Sequence, residues 1–139
     1  MNDKQKTIRT AGLVVVRDNK LLLAYSKNKK ALYLPGGKVD AGETSLQSLQ
    51  REIWEELTLR IEEADLNYYC HITAPAYGEN VNILMEQDCY LHTLQQDISP
   101  RNEIGAVRFF NPASYAGEPA QVVGVLEIFR RLVADGLLT

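Results

Sequence analysis

With 139 residues, 45% of them hydrophobic and 24% charged, the chain has enough apolar material for one core and too little length for two ordinary domains. A net charge of -3 argues against a binder of nucleic acid polymers, whose phosphate backbones select basic faces. The opening MNDKQKTIRT has no apolar run behind a charged head, and no stretch is long enough to span a bilayer. The expectation is a single domain over residues 1–139, cytoplasmic, with neither membrane nor nucleic acid as partner.

In chain order, Ile8 to Val16 and Leu21 to Tyr25 are apolar, β-rich runs separated by Arg17-Asp18-Asn19-Lys20, a hairpin signal that predicts two antiparallel strands. Leu34-Pro35-Gly36-Gly37-Lys38 reads as a tight turn whose bare glycine backbone can approach a ligand closely. Thr44 stands at an N-cap position with Gln47 three residues on, a capping box that starts a helix at about Ser45. Leu46, Leu49, Ile53 and Leu57 give that helix an apolar stripe. Asp65 to Ile72 is a predicted strand, residues 74–80 a loop, Val81 to Leu94 a long strand and residues 95–102 a second loop. Ile104 to Phe110 is a further strand that stops at Asn111-Pro112. Glu118 and Pro119 are expected to open a last helix, with Val122, Val125, Leu126, Phe129, Leu132 and Val133 as its apolar stripe up to Gly136. Strands around two helices indicate an α/β layered domain. Cys70 and Cys89 lack CxxC-type spacing and read as free thiols.

The first helix carries the chemistry. Glu52, Glu55 and Glu56 share one face, where they repel one another at roughly 0.2–0.5 kcal/mol per pair, and they lie toward the end where the helix dipole disfavours negative charge. Solvated glutamate faces are common, because Glu is a good helix former. A hard divalent cation with oxygen ligands, however, converts such repulsion into a binding site. The glycine turn and the cap just upstream favour that second reading.

Together these residues resemble the Nudix box over residues 37–59, filled by Gly37, Glu43, Arg51, Glu52, Ile53, Glu55, Glu56 and Leu59. Thr58 stands where the family pattern has Gly, and a β-branched residue resists the left-handed conformation that usually ends a helix there. The helix is therefore expected to end by another route or to run slightly further. The resemblance implies an α/β/α sandwich around a mixed β-sheet, with the catalytic helix after a glycine loop and a second helix at the C-terminus. It also implies metal-dependent hydrolysis of a nucleoside diphosphate linked to another group, with Mg2+ or Mn2+ as cofactor. Glu52, Glu55 and Glu56 would be metal ligands, joined by a backbone carbonyl of Gly36 or Gly37. Glu52 would also be a candidate base. Arg51 would pair with Glu43 and neighbouring acids, the alternatives being an ordinary i,i+4 partner of Glu55 or a substrate contact. Glu103, ahead of the last strand, would add a carboxylate as ligand or base.

For substrate contacts, Lys38 and Arg9 are phosphate candidates, with Lys27 and Arg108 behind them. Tyr77, Tyr33 and Phe110 could stack on a base, although for Tyr33 and Phe110 packing in the core competes with that role. His71 and His92 read as structural. Pro75 and Tyr77 point to different substrate subclasses and do not discriminate. The leading expectation is MutT-type hydrolysis of a nucleoside triphosphate to monophosphate and pyrophosphate. ADP-ribose, another nucleoside diphosphate sugar or a dinucleoside polyphosphate is the alternative. A non-catalytic nucleotide-binding module is a third, against which the retained Glu52, Glu55 and Glu56 speak. A homodimer is left open.

Overall fold

The computed structural model describes residues 6–78, 82–100 and 104–139. The first hairpin forms where expected, with the long apolar run divided into β1 (Lys6–Val14) and β2 (Val16–Arg17), followed by β3 (Lys20–Ser26). Asp18 and Asn19 adopt φ of 53° and 61°, the pair of left-handed residues that a two-residue type I′ turn demands, and Arg17 pairs with Lys20 across it. The segment expected only as a glycine turn holds a short strand, β5 (Gly36–Lys38), and another, β4 (Ala31–Tyr33), forms just ahead of it. Helix α1 (Ser45–Leu57) follows, then β6 (Asn67–Pro75), β7 (Ile83–Leu91) and β8 (Ile104–Phe110). The short helix α2 (Pro112–Ala116) and α3 (Val123–Ala134) complete the order.

One sheet is mixed, in the order β5-β1-β7-β6, with β1 parallel to β7 and antiparallel to β5. The other is antiparallel and centred on β3, which pairs with β2, β4 and β8. Side chains alternate along β1, so Leu13 packs on one side with Leu49, Ile53 and Leu57 of α1 while Val14 packs on the other with Ile128, Phe129 and Leu132 of α3. Those two cores, one under each helix, make the α/β/α sandwich. Cys70 and Cys89 are buried free thiols placed opposite each other on β6 and β7. Among the described residues no helix is long and apolar enough to cross a membrane.

The last helix departs from expectation, beginning at Val123 rather than at Glu118-Pro119. The chain first uses Pro112 inside α2, capped by Asn111, whose side chain accepts from the Ser114 N–H at 2.8 Å. That helix buries Tyr115 completely, and its phenol oxygen accepts the Val122 N–H at 2.9 Å. Gln121 Nε2 meanwhile donates to the Tyr115 and Glu118 carbonyls, so residues 117–122 are held in a wrap that no helix could share.

Candidate active site

The glycine turn is built by close approach. Gly36 has φ of 141°, and a Cβ there would fall 2.0 Å from the Ala11 carbonyl oxygen of the neighbouring strand. At Gly37 a Cβ would meet Glu52 Oε2 at 2.1 Å, so the missing side chain is the room that the glutamate occupies. The Gly36 N–H donates to Glu56 Oε1 at 3.2 Å. α1 is fixed against this turn by the expected capping box, Thr44 Oγ1 accepting from Gln47 N at 3.1 Å and Gln47 Oε1 from Thr44 N at 3.0 Å. Ser48, fully buried, donates its hydroxyl to the Lys38 carbonyl at 3.0 Å.

Arg51 ties loop to helix. Its Nε and Nη2 donate to the two oxygens of Glu43 at 2.7 and 3.0 Å, a bidentate pair, and Nη2 also reaches the Lys38 carbonyl at 3.3 Å. Nη1 donates to Glu55 Oε1 at 3.3 Å, while Asp40 and Glu52 lie at 3.3 and 3.7 Å. Both the loop pairing and the i,i+4 pairing expected of Arg51 are present together, and Arg51 is not among the residues lining the cleft described below. The Arg51 hydrogen bond holds the Glu43 carboxyl below the usual range. Glu52 moves the other way, pushed up to about 7, chiefly by burial against the helix and turn, with Glu55 adding to the effect and Arg51 opposing it.

At the far end of α1, Thr58 does take the left-handed conformation, with φ of 56° and its N–H on the Trp54 carbonyl at 3.1 Å. Its hydroxyl donates to the Ser99 carbonyl at 3.2 Å, and Ser99 N–H in turn reaches the Leu57 carbonyl at 2.9 Å. The helix thus ends where the family pattern ends it, and the strain of a β-branched residue is offset by a loop tie that glycine could not make.

A cleft of about 460 Å³ opens beside the turn, lined by Glu52 and Glu56 of α1, by Gly36, Gly37 and Lys38, and by Tyr33 and Tyr77. The two tyrosine rings meet edge to face, centroids 6.2 Å apart. Of the proposed metal carboxylates, Glu52 and Glu56 face the cleft, while Glu55 bonds Arg51. Among the described residues no three acidic, histidine or cysteine side chains already converge as a metal cluster. The donor set nonetheless suits a hard divalent cation: two cleft-facing carboxylates, both half-buried, beside glycine backbone where a Cβ is forbidden. Glu103 lies outside the described residues.

Other sequence candidates fall elsewhere. Phe110 is 4% exposed in the core beneath α3, edge to face with Tyr115, so its ring packs and does not line the cleft. Arg9 is exposed; Ile8 and Thr10, its neighbours on β1, line the cleft, so alternation puts Arg9 on the opposite face. Arg108 points to Glu118 at 3.7 Å, and neither it nor Lys27 lines the cleft. Thr10, Ser26, Asn28, Lys29 and Gln87 line it without having been singled out. For Thr10 and Gln87 the available signal was a polar residue at an inward position of a strand.

The chain matches the Nudix domain family over residues 6–132. It is 35% identical over 60 residues to a MutT-like protein of Streptomyces ambofaciens, a match covering 43% of this chain and 39% of that protein. The chain thus spans about two fifths of that relative's length. Its fold is similar to a putative Nudix hydrolase family member from Chromobacterium violaceum, with TM-score 0.72, 28% identity, and coverage of 93% of this chain and 78% of the other. It is also similar, at TM-score 0.69 and 17% identity, to a bifunctional NMN adenylyltransferase/ADP ribose pyrophosphatase from Francisella tularensis in complex with AMP and a Mn ion, covering 94% of this chain and 42% of that one. The fold and the box residues define a Nudix-type hydrolase scaffold. The chain belongs to the Nudix hydrolase family.

Proposed function

We propose that residues 1–139 form one catalytic domain, a pyrophosphohydrolase that cleaves free nucleoside triphosphates to monophosphate and pyrophosphate in the cytoplasm. The observation that carries this reading is the continuity of one cleft from Glu52, Glu56 and the glycine turn to the Tyr33–Tyr77 wall. One end suits phosphates, the other an aromatic base. Glu52, Glu55 and Glu56, with a carbonyl of Gly36 or Gly37 and with Glu103, would hold Mg2+ or Mn2+, which when bound supplies charge stabilisation at the phosphates. Glu52 takes the proton from the attacking water as its oxygen bonds to phosphorus and the bridging phosphoanhydride bond breaks. Lys38, at the cleft beside the turn, meets phosphate oxygens, and Tyr77 presents a ring to the base. Arg51 acts through Glu43, holding the loop against the helix so that the glycine backbone stays in register with Glu52. The Francisella neighbour has ADP ribose pyrophosphatase in its name, but at 17% identity it supports the fold and not the substrate.

The test is product analysis across a nucleoside triphosphate, diphosphate sugar and dinucleoside polyphosphate panel with Mg2+ or Mn2+, on the native chain and Glu56→Gln. Monophosphate plus pyrophosphate from the native chain, lost in the variant, is expected. Turnover of no panel member, or full activity in Glu56→Gln, would sink the mechanism.

A further inference from the structure

The rim of the cleft is tied across by a lysine. Among the described residues β6 is an outer strand of the mixed sheet and β4 an outer strand of the antiparallel one; Tyr77, just after β6, and Lys29, just before β4, both line the cleft. Lys29 Nζ donates to the Tyr77 carbonyl at 3.2 Å, a bond between residues 48 apart in the chain. Its polarity has one reading, since an ammonium only donates and a carbonyl only accepts. The turn that aims the lysine is itself fixed. Lys30 N–H donates to the Ser26 carbonyl at 2.8 Å and Lys29 N–H to the Ser26 hydroxyl at 3.2 Å, with Ser26 buried beneath them. The lysine stem lies along Gly78, whose φ of 76° suits glycine; a Cβ there would stand 3.2 Å from Lys29 Cδ and 3.5 Å from Nζ.

Tyr77 is thus held at two points, its carbonyl by Lys29 and its ring edge to face on Tyr33 of β4. Both holds come from the side of the antiparallel sheet, although Tyr77 itself extends from the mixed one. A ring that became ordered only on binding would weaken the complex by its lost freedom, whereas a ring fixed beforehand does not. We propose that Lys29 is a positioning residue that locks Tyr77 in place as the base-side wall of the cleft, acting through the Tyr77 backbone and not by contact with phosphate; the inference rests on the nucleotide reading of this cleft.

Calorimetric binding of the α,β-imido analogues of ATP, GTP and UTP and of inorganic tripolyphosphate, each with Mg2+ at about 0.15 M salt, tests it on the native chain, Lys29→Met, Tyr77→Leu and the double variant. Methionine keeps a stem against Gly78 and removes the donor. For the nucleotide analogue that the native chain binds best, Lys29→Met should raise Kd roughly three- to tenfold, and Tyr77→Leu at least as much. The double variant should lie within about twofold of Tyr77→Leu alone, because the lysine then has nothing left to position. Tripolyphosphate, which has no base, should bind all four proteins within about twofold, since a charge away from the phosphates is largely screened at that salt. An unchanged Kd in Lys29→Met, losses that multiply in the double variant, or a tripolyphosphate loss that matches the nucleotide loss would each overturn the inference and leave the nucleotide reading in place. Native binding of none of the three nucleotide analogues would overturn both.

Discussion

Two clusters of acids gather around a basic side chain, and they differ in how completely each acid is served. On the exposed side of β6 and β7, His71 has both ring nitrogens bonded, Nδ1 to Asp88 at 2.8 Å and Nε2 to Glu86 at 2.5 Å, and Thr73 donates to Glu86 at 2.8 Å. The two carboxylates raise the imidazole pKa, and the His71 bond lowers that of Glu86. Around Arg51 only the pair with Glu43 is so well matched. Glu52, at 3.7 Å from the guanidinium, is buried faster than it is compensated and is pushed up to about 7. A cluster that serves stability satisfies each carboxylate. The α1 cluster holds one in reserve, which is the expected signature of a site that gains a partner on binding.

Glu52→Gln should break this difference most sharply, because it acts in opposite directions on activity and stability. Metal-dependent turnover should fall by about 10²-fold or more. In the metal-free protein the raised pKa of Glu52 means that the fold favours the neutral carboxyl. Its contribution is full below the unfolded value near 4.5 and is lost as pH rises through about 7. Glu52→Gln, neutral at every pH, should therefore raise Tm at pH 8 by roughly 3–8 °C and leave it nearly unchanged at pH 4.5. Equal melting curves at pH 8 with divalent cation removed by chelator would contradict the assignment.

Arg51→Ala should cost about 10- to 100-fold in kcat/KM through loss of the loop clamp, with Arg51→Lys recovering little, since a point charge cannot make the bidentate pair with Glu43. Steady-state kinetics on both variants decides this, and full activity in Arg51→Ala would remove the clamp from the mechanism. Thr58→Gly should change stability by less than about 1 kcal/mol, because relief of left-handed strain is set against the lost bond to Ser99. Denaturant melts of Thr58→Gly and Thr58→Ala separate the two effects: alanine keeps the strain and loses the bond, so it should be the less stable. The smallest effect is expected at His71, whose bonds are exposed. The raised pKa makes its contribution full below 6.5 and lost as pH rises through the folded value, and His71→Gln should shift Tm by less than about 2 °C at pH 5.5 and by nothing at pH 9. A large shift at high pH would show that the cluster is not electrostatic.

Much of the site was legible because it is local. The capping box, the stripe Leu49, Ile53 and Leu57, and the spacing of Arg51, Glu52, Glu55 and Glu56 lie within a few turns of one helix, where sequence distance fixes spatial distance. The same holds for the Asp18-Asn19 turn. Phe110 and Arg9 were misplaced because an aromatic or cation on a strand can face either side, and only the pairing of sheets to helices says which side is the cleft. α2 and the late start of α3 were missed because Tyr115 and Gln121 hold residues 117–122 through contacts that override the proline signal at 119. Thr58 ends the helix against its own preference through a partner 41 residues away.

By itself the sequence determined the start, cap and residue spacing of α1 and the family to which the chain belongs, since these are written in short-range spacing. Tertiary structure alone decided which carboxylates face the cleft, which one is left under-compensated, and which strand residues line the cleft beside them. These depend on two sheets and two helices closing around strands whose side chains alternate, and alternation has no inside or outside until the layers are packed.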